Sequence, residues 1–228
     1  HLQPDAPCAD YSQLVWWDAF DGTPLREGWH WIDPQGKSHY HCIPQGGILE
    51  LRTSVGQHAL ASTNPGVPRL IRQISGNFAV ETRLVGITEG ECQIGGLLLW
   101  ESEKSYLSFA KRSTLINNVR LEACQKGHPD IIGRGWLPPR PRGELEGMSL
   151  VPPAGGGGGS ELYLRLERRG ESVSALCSDD GEQWQSCGKI SFPVANPVWI
   201  GLYAACPAGL SDSVARFKEF KLYRGGGE

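Results

Sequence analysis

The chain reads as a series of short segments in which apolar and polar positions alternate with period two. Gly47 to Arg52 (GILELR) sends Ile48 and Glu50 one way and Leu49 and Leu51 the other. Asn77 to Leu84 (NFAVETRL) repeats the pattern, with Phe78, Val80, Thr82 and Leu84 opposite Glu81 and Arg83. Cys92 to Trp100 is apolar almost without interruption, as a central strand covered on both faces would be. Ser105 to Lys111 alternates again, and the polar link Glu101-Ser102-Glu103-Lys104 makes the two segments a hairpin. Val119 to Cys124, Glu161 to Arg168, Ser172 to Ser178, Trp184 to Ile190, Val198 to Cys206 and Ala215 to Tyr223 continue the series. In the last of these, Phe217 and Leu222 fall on opposite phases. Asp179-Asp180-Gly181 is a hairpin turn signal. No helix longer than two turns is predicted. Many strands with short links and no intervening helices specify an all-β fold, a two-sheet antiparallel β-sandwich.

One stretch breaks the rhythm. From Gly127 to Ser160 the chain carries Pro138, Pro139, Pro141, Pro152, Pro153 and five glycines at 155–159. Proline removes ladder donors and glycine costs backbone entropy, so this region is expected to be a long surface excursion. A domain boundary is the rival reading. As a separate domain, the strand-like sequence after it would need a core of its own and the first 126 residues would lack a closing element, so residues 1–228 are expected to form one sandwich domain with an insertion at about 127–160.

Composition narrows the function classes. Gly 30 and Pro 16 among 228 residues, with one Met, disfavour a helical bundle. Twenty-two basic residues against 25 acidic ones, without long runs of either sign, give no electrostatic basis for coating nucleic acid. No stretch approaches the roughly 20 apolar residues of a membrane helix, so no membrane insertion is expected. The chain starts at His1, as a mature form or a domain cut from a larger polypeptide would. Seven cysteines lack CxxC or zinc-finger spacing, and Cys177 and Cys187, which flank a turn, are the first candidates for a bridge. Disulfides outside the cell and small buried thiols inside it both fit, so the compartment stays open between them, with a secreted or cell-surface site among the options.

At this point Gly95-Gly96-Leu97-Leu98-Leu99-Trp100 with Tyr106-Leu107, Leu164-Arg165-Leu166-Glu167-Arg168, Ser178-Asp179-Asp180-Gly181-Glu182-Gln183-Trp184 and Ile200-Gly201-Leu202-Tyr203 follow one another in a familiar order. The chain resembles the concanavalin A-like, laminin-G-like jelly rolls, and most of all bacterial accessory modules found alone or behind glycoside hydrolase domains. Phe20-Asp21-Gly22 and Phe217-Lys218-Glu219-Phe220 fit as opening and closing blocks. The resemblance implies a sugar- or protein-binding jelly roll, in some members stabilised by calcium. Asp179 and Asp180 are the residues on which a calcium site would be built, although the ion takes about 6 to 8 oxygens and the loop shows only part of a shell. A plain hairpin explains the same loop, and no other cofactor is implied.

Catalytic patterns are thin. Glycoside hydrolysis uses two carboxylates roughly 5 to 9.5 Å apart. Glu101 and Glu103 sit in a turn, and Glu144 and Glu146 lie beside the excursion. No GxSxG, HExxH or P-loop occurs. His39 and His41 would share a strand face, with His30 and His58 as further members of a metal or acid–base cluster. The eight tryptophans are the informative excess. Trp100, Trp184 and Trp199 occupy strand contexts suited to the core. Trp29, Trp31 and Tyr40 crowd the first quarter, where rings that do not cover the core or a sheet edge would stack on sugar faces. Trp136 lies in the polar stretch RGWLPPRPR beside Arg134, where no regular sheet face is expected to bury it. These residues specify a non-catalytic module whose ligand is a glycan, through Trp29, Trp31, Tyr40, Trp136 and Arg134. Its alternatives are a protein-interaction or architectural module and a divergent glycan hydrolase or lyase.

Overall fold

The computed structural model describes residues 11–54, 66–87, 93–113, 118–136, 161–206 and 212–225. They form fifteen strands: β1 (Gln13–Asp18), β2 (His30–Ile32), β3 (His39–Ile43), β4 (Ile48–Thr53), β5 (Arg69–Ile74), β6 (Phe78–Ile87), β7 (Gln93–Ser102), β8 (Ser105–Ser113), β9 (Asn118–Gln125), β10 (His128–Trp136), β11 (Leu162–Arg169), β12 (Ser172–Ser178), β13 (Gln185–Ser191), β14 (Val198–Ala205) and β15 (Ser213–Arg224). A 3-10 turn at Pro44–Gly46 is the only helical element among the described residues. The strands make two antiparallel sheets packed as a jelly-roll-like β-sandwich. Sheet I runs β13-β12-β11-β6-β15-β4-β3, and β1 pairs with the second half of β15. Sheet II runs β10-β9-β8-β7-β14-β5-β2.

Period two explains the core. Leu49, Leu51, Phe78, Val80, Leu84, Leu164, Leu166 and Phe217 from sheet I meet Leu97, Leu99, Leu107, Phe109, Leu121, Ile200 and Leu202 from sheet II, all buried. Each such side chain contributes about 1.5–3 kcal/mol. The intervening residues of β7 and its neighbours, Leu98, Trp100, Tyr106 and Tyr203, form a second apolar cluster on the other face of sheet II. The expectation of a central strand covered on both faces therefore holds for β7. Sheet I presents charge on its outer face instead, where Arg165 meets Glu81 at 3.1 Å and Glu167 at 2.8 Å.

Two features depart from simple alternation. In β15 the register slips between Arg216 and Phe217 and again between Lys218 and Phe220, and Glu219 takes φ +47°. The bulges restore a common face, so Phe217, Phe220 and Leu222 all enter the core despite their opposite phases in the sequence. The region from Gly127 also differs from expectation at its start. His128–Trp136 is a regular strand paired with β9, with one bulge between Ile131 and Gly133. Pro129 is tolerated because β10 is an edge strand. The proline- and glycine-rich remainder, 137–160, lies outside the described residues.

Candidate functional site

The sandwich has two long edges, and the residues expected to bind ligand are divided between them. Trp31 lies on β2 and Tyr40 on β3, the edge strands of sheets II and I on one side. Arg134 and Trp136 lie on β10, the opposite edge of sheet II, with five strands between. The structure therefore does not gather the five residues into one surface.

At the β2/β3 edge, the Trp31 and Tyr40 rings meet edge to face, 5.3 Å apart and 62° inclined. Trp31 is partly buried against the core, whereas Tyr40 is 40% exposed. Trp31 thus braces a ring that Tyr40 offers to solvent. Antiparallel pairing sets His39 opposite Arg52, Tyr40 opposite Leu51 and His41 opposite Glu50. His39, Tyr40, His41, Glu50 and Arg52, with Asp212 just ahead of β15, line a groove of about 510 Å³. Glu50 is held by its neighbours: Arg216 Nε donates to its carboxylate at 2.8 Å, and Arg52 Nη2 stands 3.9 Å away. Beneath the groove Cys42 points inward, and burial, reinforced by the negative charge of Asp18, pushes its thiol up to about 11. The groove therefore offers donors and acceptors fixed on the outer face of β3 and β4, while the Tyr40 ring stands at the rim on the other face of the same strand, beside Trp31.

Trp29 plays another part. Its Nε1–H donates to Asp18 Oδ2 at 2.9 Å, and its ring packs against Phe220 at 4.9 Å and Trp16 at 5.4 Å. It is a partly buried packing residue. Alongside it, the Arg72 guanidinium lies 3.7 Å over the Trp16 ring, and burial holds its pKa down.

On β10, Arg134 is exposed and pairs in register with Arg120. Arg112 grips Glu122 through Nη2 at 2.7 and 2.8 Å nearby. The backbone of Trp136 ends this strand, not an irregular loop as expected, while its side chain is outside what the structure describes. Asp180 is occupied by its own turn. Its Oδ1 accepts from the backbone N–H of Glu182 and of Gln183, both at 2.8 Å, and from the Ser178 hydroxyl at 2.9 Å. These hydrogen bonds, that from Gln183 first, hold its carboxyl below the usual carboxylate range. Asp179 stands beside it in the same turn. Among the described residues no group of three or more His, Cys, Asp or Glu is placed to hold a metal ion.

The other candidates disperse. Glu101 accepts from the Ala195 N–H at 2.7 Å, and Glu103 lies in the β7–β8 turn. His30 packs edge to face on Trp199, 5.1 Å away in sheet II, while His58, Glu144 and Glu146 lie outside the described residues. The sequence reading missed Arg52 and Asp212. The alternation in β3 and β4 could have flagged Arg52 as outward-facing, but nothing local couples Asp212 to Tyr40.

Comparison with known proteins supports this architecture. The family described as "Protein of unknown function (DUF1349)" matches residues 149–224. No curated protein matches the chain. Among solved structures, a xylan beta-1,4-xylosidase from Bacillus halodurans C-125 is similar at 17% identity and TM-score 0.68, over 97% of this chain and 41% of that one. A functionally unknown protein from Saccharomyces cerevisiae is similar at 16% identity and TM-score 0.67, covering 88% and 98%. The CBM2 module of Lactobacillus casei BL23 phage J-1 evolved Dit is similar at 12% identity and TM-score 0.57, covering 96% and 98%. What they share is the fold. The chain spans about two fifths of the xylosidase's length.

Proposed function

We propose that this chain is a non-catalytic carbohydrate-binding module that takes its glycan in the groove at the β2/β3 edge. The observation that carries the reading is the exposed Tyr40 ring, braced by Trp31 at the rim of the strand pair whose outer face carries His39, His41, Arg52 and Asp212. A sugar's apolar face stacks on such a ring, and neighbouring units of the same glycan reach over the strand edge to the polar fringe. Glu50 acts in this reading as an anchor for Arg52 and Arg216, holding the fringe in place. The likeness to part of a xylan beta-1,4-xylosidase makes xylan the first glycan to try, and a larger secreted or cell-surface polypeptide the natural setting.

The test is titration with xylo-oligosaccharides and a glycan array, each with calcium and with EDTA, on the wild type and Tyr40→Ala. Expected is binding that Tyr40→Ala weakens about three- to tenfold while the melting temperature moves little, since one well-stacked ring is worth roughly 0.5–1.5 kcal/mol. Equal binding by both proteins, or no glycan signal under any condition, overturns the reading. Protein docking is a second reading, favoured by Leu14 (48% exposed), Val15 (40%) and Trp17 (42%) on β1.

A further inference from the structure

The β12–β13 hairpin carries two thiols that the groove does not use. In its register Leu176 pairs with Ser186 and Ala175 with Gly188, so Cys187 is the extra residue of a bulge. Gly188, with φ +144°, absorbs the backbone turn that follows. The bulged Cys187 side chain is buried, and its Sγ lies 3.1 Å from Sγ of the equally buried Cys177 on the neighbouring strand. A shift of about 1 Å brings two sulfurs at that separation to bonding distance. The backbone of β10 lies directly over the pair. A Cβ added at Gly135 would stand 2.5 Å from Cys187 Sγ and 3.1 Å from Cys177 Sγ, and one at Gly133 would stand 1.8 Å from the Cys187 carbonyl oxygen. Even a methyl group finds no room there, so neither does an approaching oxidant.

We propose that Cys177 and Cys187 are an oxidation site that forms an intrachain disulfide, tying β12 to β13 before β10 closes over them. The oxidant is a small disulfide of the glutathione class. The Cys177 thiolate attacks one of its sulfurs, forming a mixed disulfide and releasing one thiol; Cys187 then attacks the Cys177 sulfur and releases the second thiol. The protein loses two protons and two electrons, and the oxidant disulfide gains both as two thiols. Cys177 is the attacking group because the hydrogen bond from Cys187 lowers its pKa, while the same contact raises that of Cys187. The mixed disulfide needs space that the closed β10 backbone denies, which sets the order of events. Once closed as a dithiol, the pair is shielded.

The chain between the two cysteines contains Asp179, Asp180 and Glu182, so a protease specific for acidic residues separates them unless a disulfide holds them. Reduced, denatured protein is refolded in a glutathione/glutathione disulfide buffer, trapped with iodoacetamide in denaturant, digested and weighed without reduction. The expected result is one linked pair of fragments containing Cys177 and Cys187, lighter by two hydrogens and separated by dithiothreitol. Folded dithiol protein in the same buffer should form this link at least about tenfold more slowly, and urea below the unfolding midpoint should restore the rate. Alkylation of both thiols after oxidative refolding, or linkage of either to another cysteine, overturns the site. Equal rates in folded and refolding protein overturn the shielding. Neither outcome bears on glycan binding.

Discussion

At one edge of this sandwich, β10 of sheet II approaches β13 of sheet I backbone to backbone; at the other, β2 and β3 are joined by the rings of Trp31 and Tyr40. Face-to-face sheets normally stand about 10 Å apart because side chains fill the space between them. Gly133 and Gly135 remove those side chains, so the first edge shuts and hides its thiols. The aromatic pair keeps the second edge filled but faced with side chains, one of them the exposed Tyr40 ring. Edge chemistry, more than the core, separates a sealed edge from an open one in this fold.

The largest effect is expected from refilling the closed edge. Gly133→Ala puts a methyl group 1.8 Å from the Cys187 carbonyl oxygen, and backbone on both sides must move. Urea unfolding should show a loss of at least about 3 kcal/mol, together with alkylation of Cys177 and Cys187 in the folded state. A wild-type midpoint with shielded thiols would mean the edges are not closed by glycine.

A smaller effect separates packing from presentation among neighbouring aromatics. Trp29→Ala removes contacts with Trp16, Phe20 and Phe220 and leaves Asp18, buried at 4% exposure, without one of its donors. Thermal melts and urea titration should show a loss of about 2–4 kcal/mol. Trp29→Phe should recover part of it. Glycan affinity of the folded fraction should stay within about threefold of wild type, about 0.7 kcal/mol. Stability unchanged and binding lost would move the ligand surface from Tyr40 to Trp29.

Much of the sandwich was legible because period two survives in β4 and β6, whose apolar phases met the core as expected, and because the unbroken apolar run of β7 is covered on both faces. It failed where bulges change the parity. Phe217 and Leu222 look opposed until Glu219 adopts φ +47°, and Cys187 turns inward only because β13 carries one residue more than β12 needs. Gly133 and Gly135 fell inside the stretch expected to be a surface excursion, yet they mark a strand whose backbone must pass close to another. Tyr40 and Trp31 stood out as aromatics, but Trp29 stood out equally, since alternation does not reveal whether a ring at a sheet edge faces a neighbour or water. The partners of Tyr40 were hidden for a different reason. Glu50 meets Arg216 across 166 positions of sequence, a pairing set by strand order and not by any local pattern.

The smallest predicted effect concerns the turn that leads into the closed edge. Asp180 accepts three hydrogen bonds in the 178–183 turn, and its carboxyl titrates below its ordinary value, about 3.9 in an unfolded chain. A depressed folded pKa contributes stability that is fully present above the unfolded value and is lost as pH falls through the folded one. Asp180→Asn keeps an acceptor oxygen but cannot ionise. The variant should therefore be slightly less stable than wild type at neutral pH, with the gap narrowing below about pH 4 and closing in stronger acid. Urea midpoints measured at a series of pH values read this directly. A gap of constant size down to pH values where carboxylates are protonated would assign the turn's stability to shape alone, and the charge on Asp180 would have no part in holding the hairpin that carries Cys177 and Cys187.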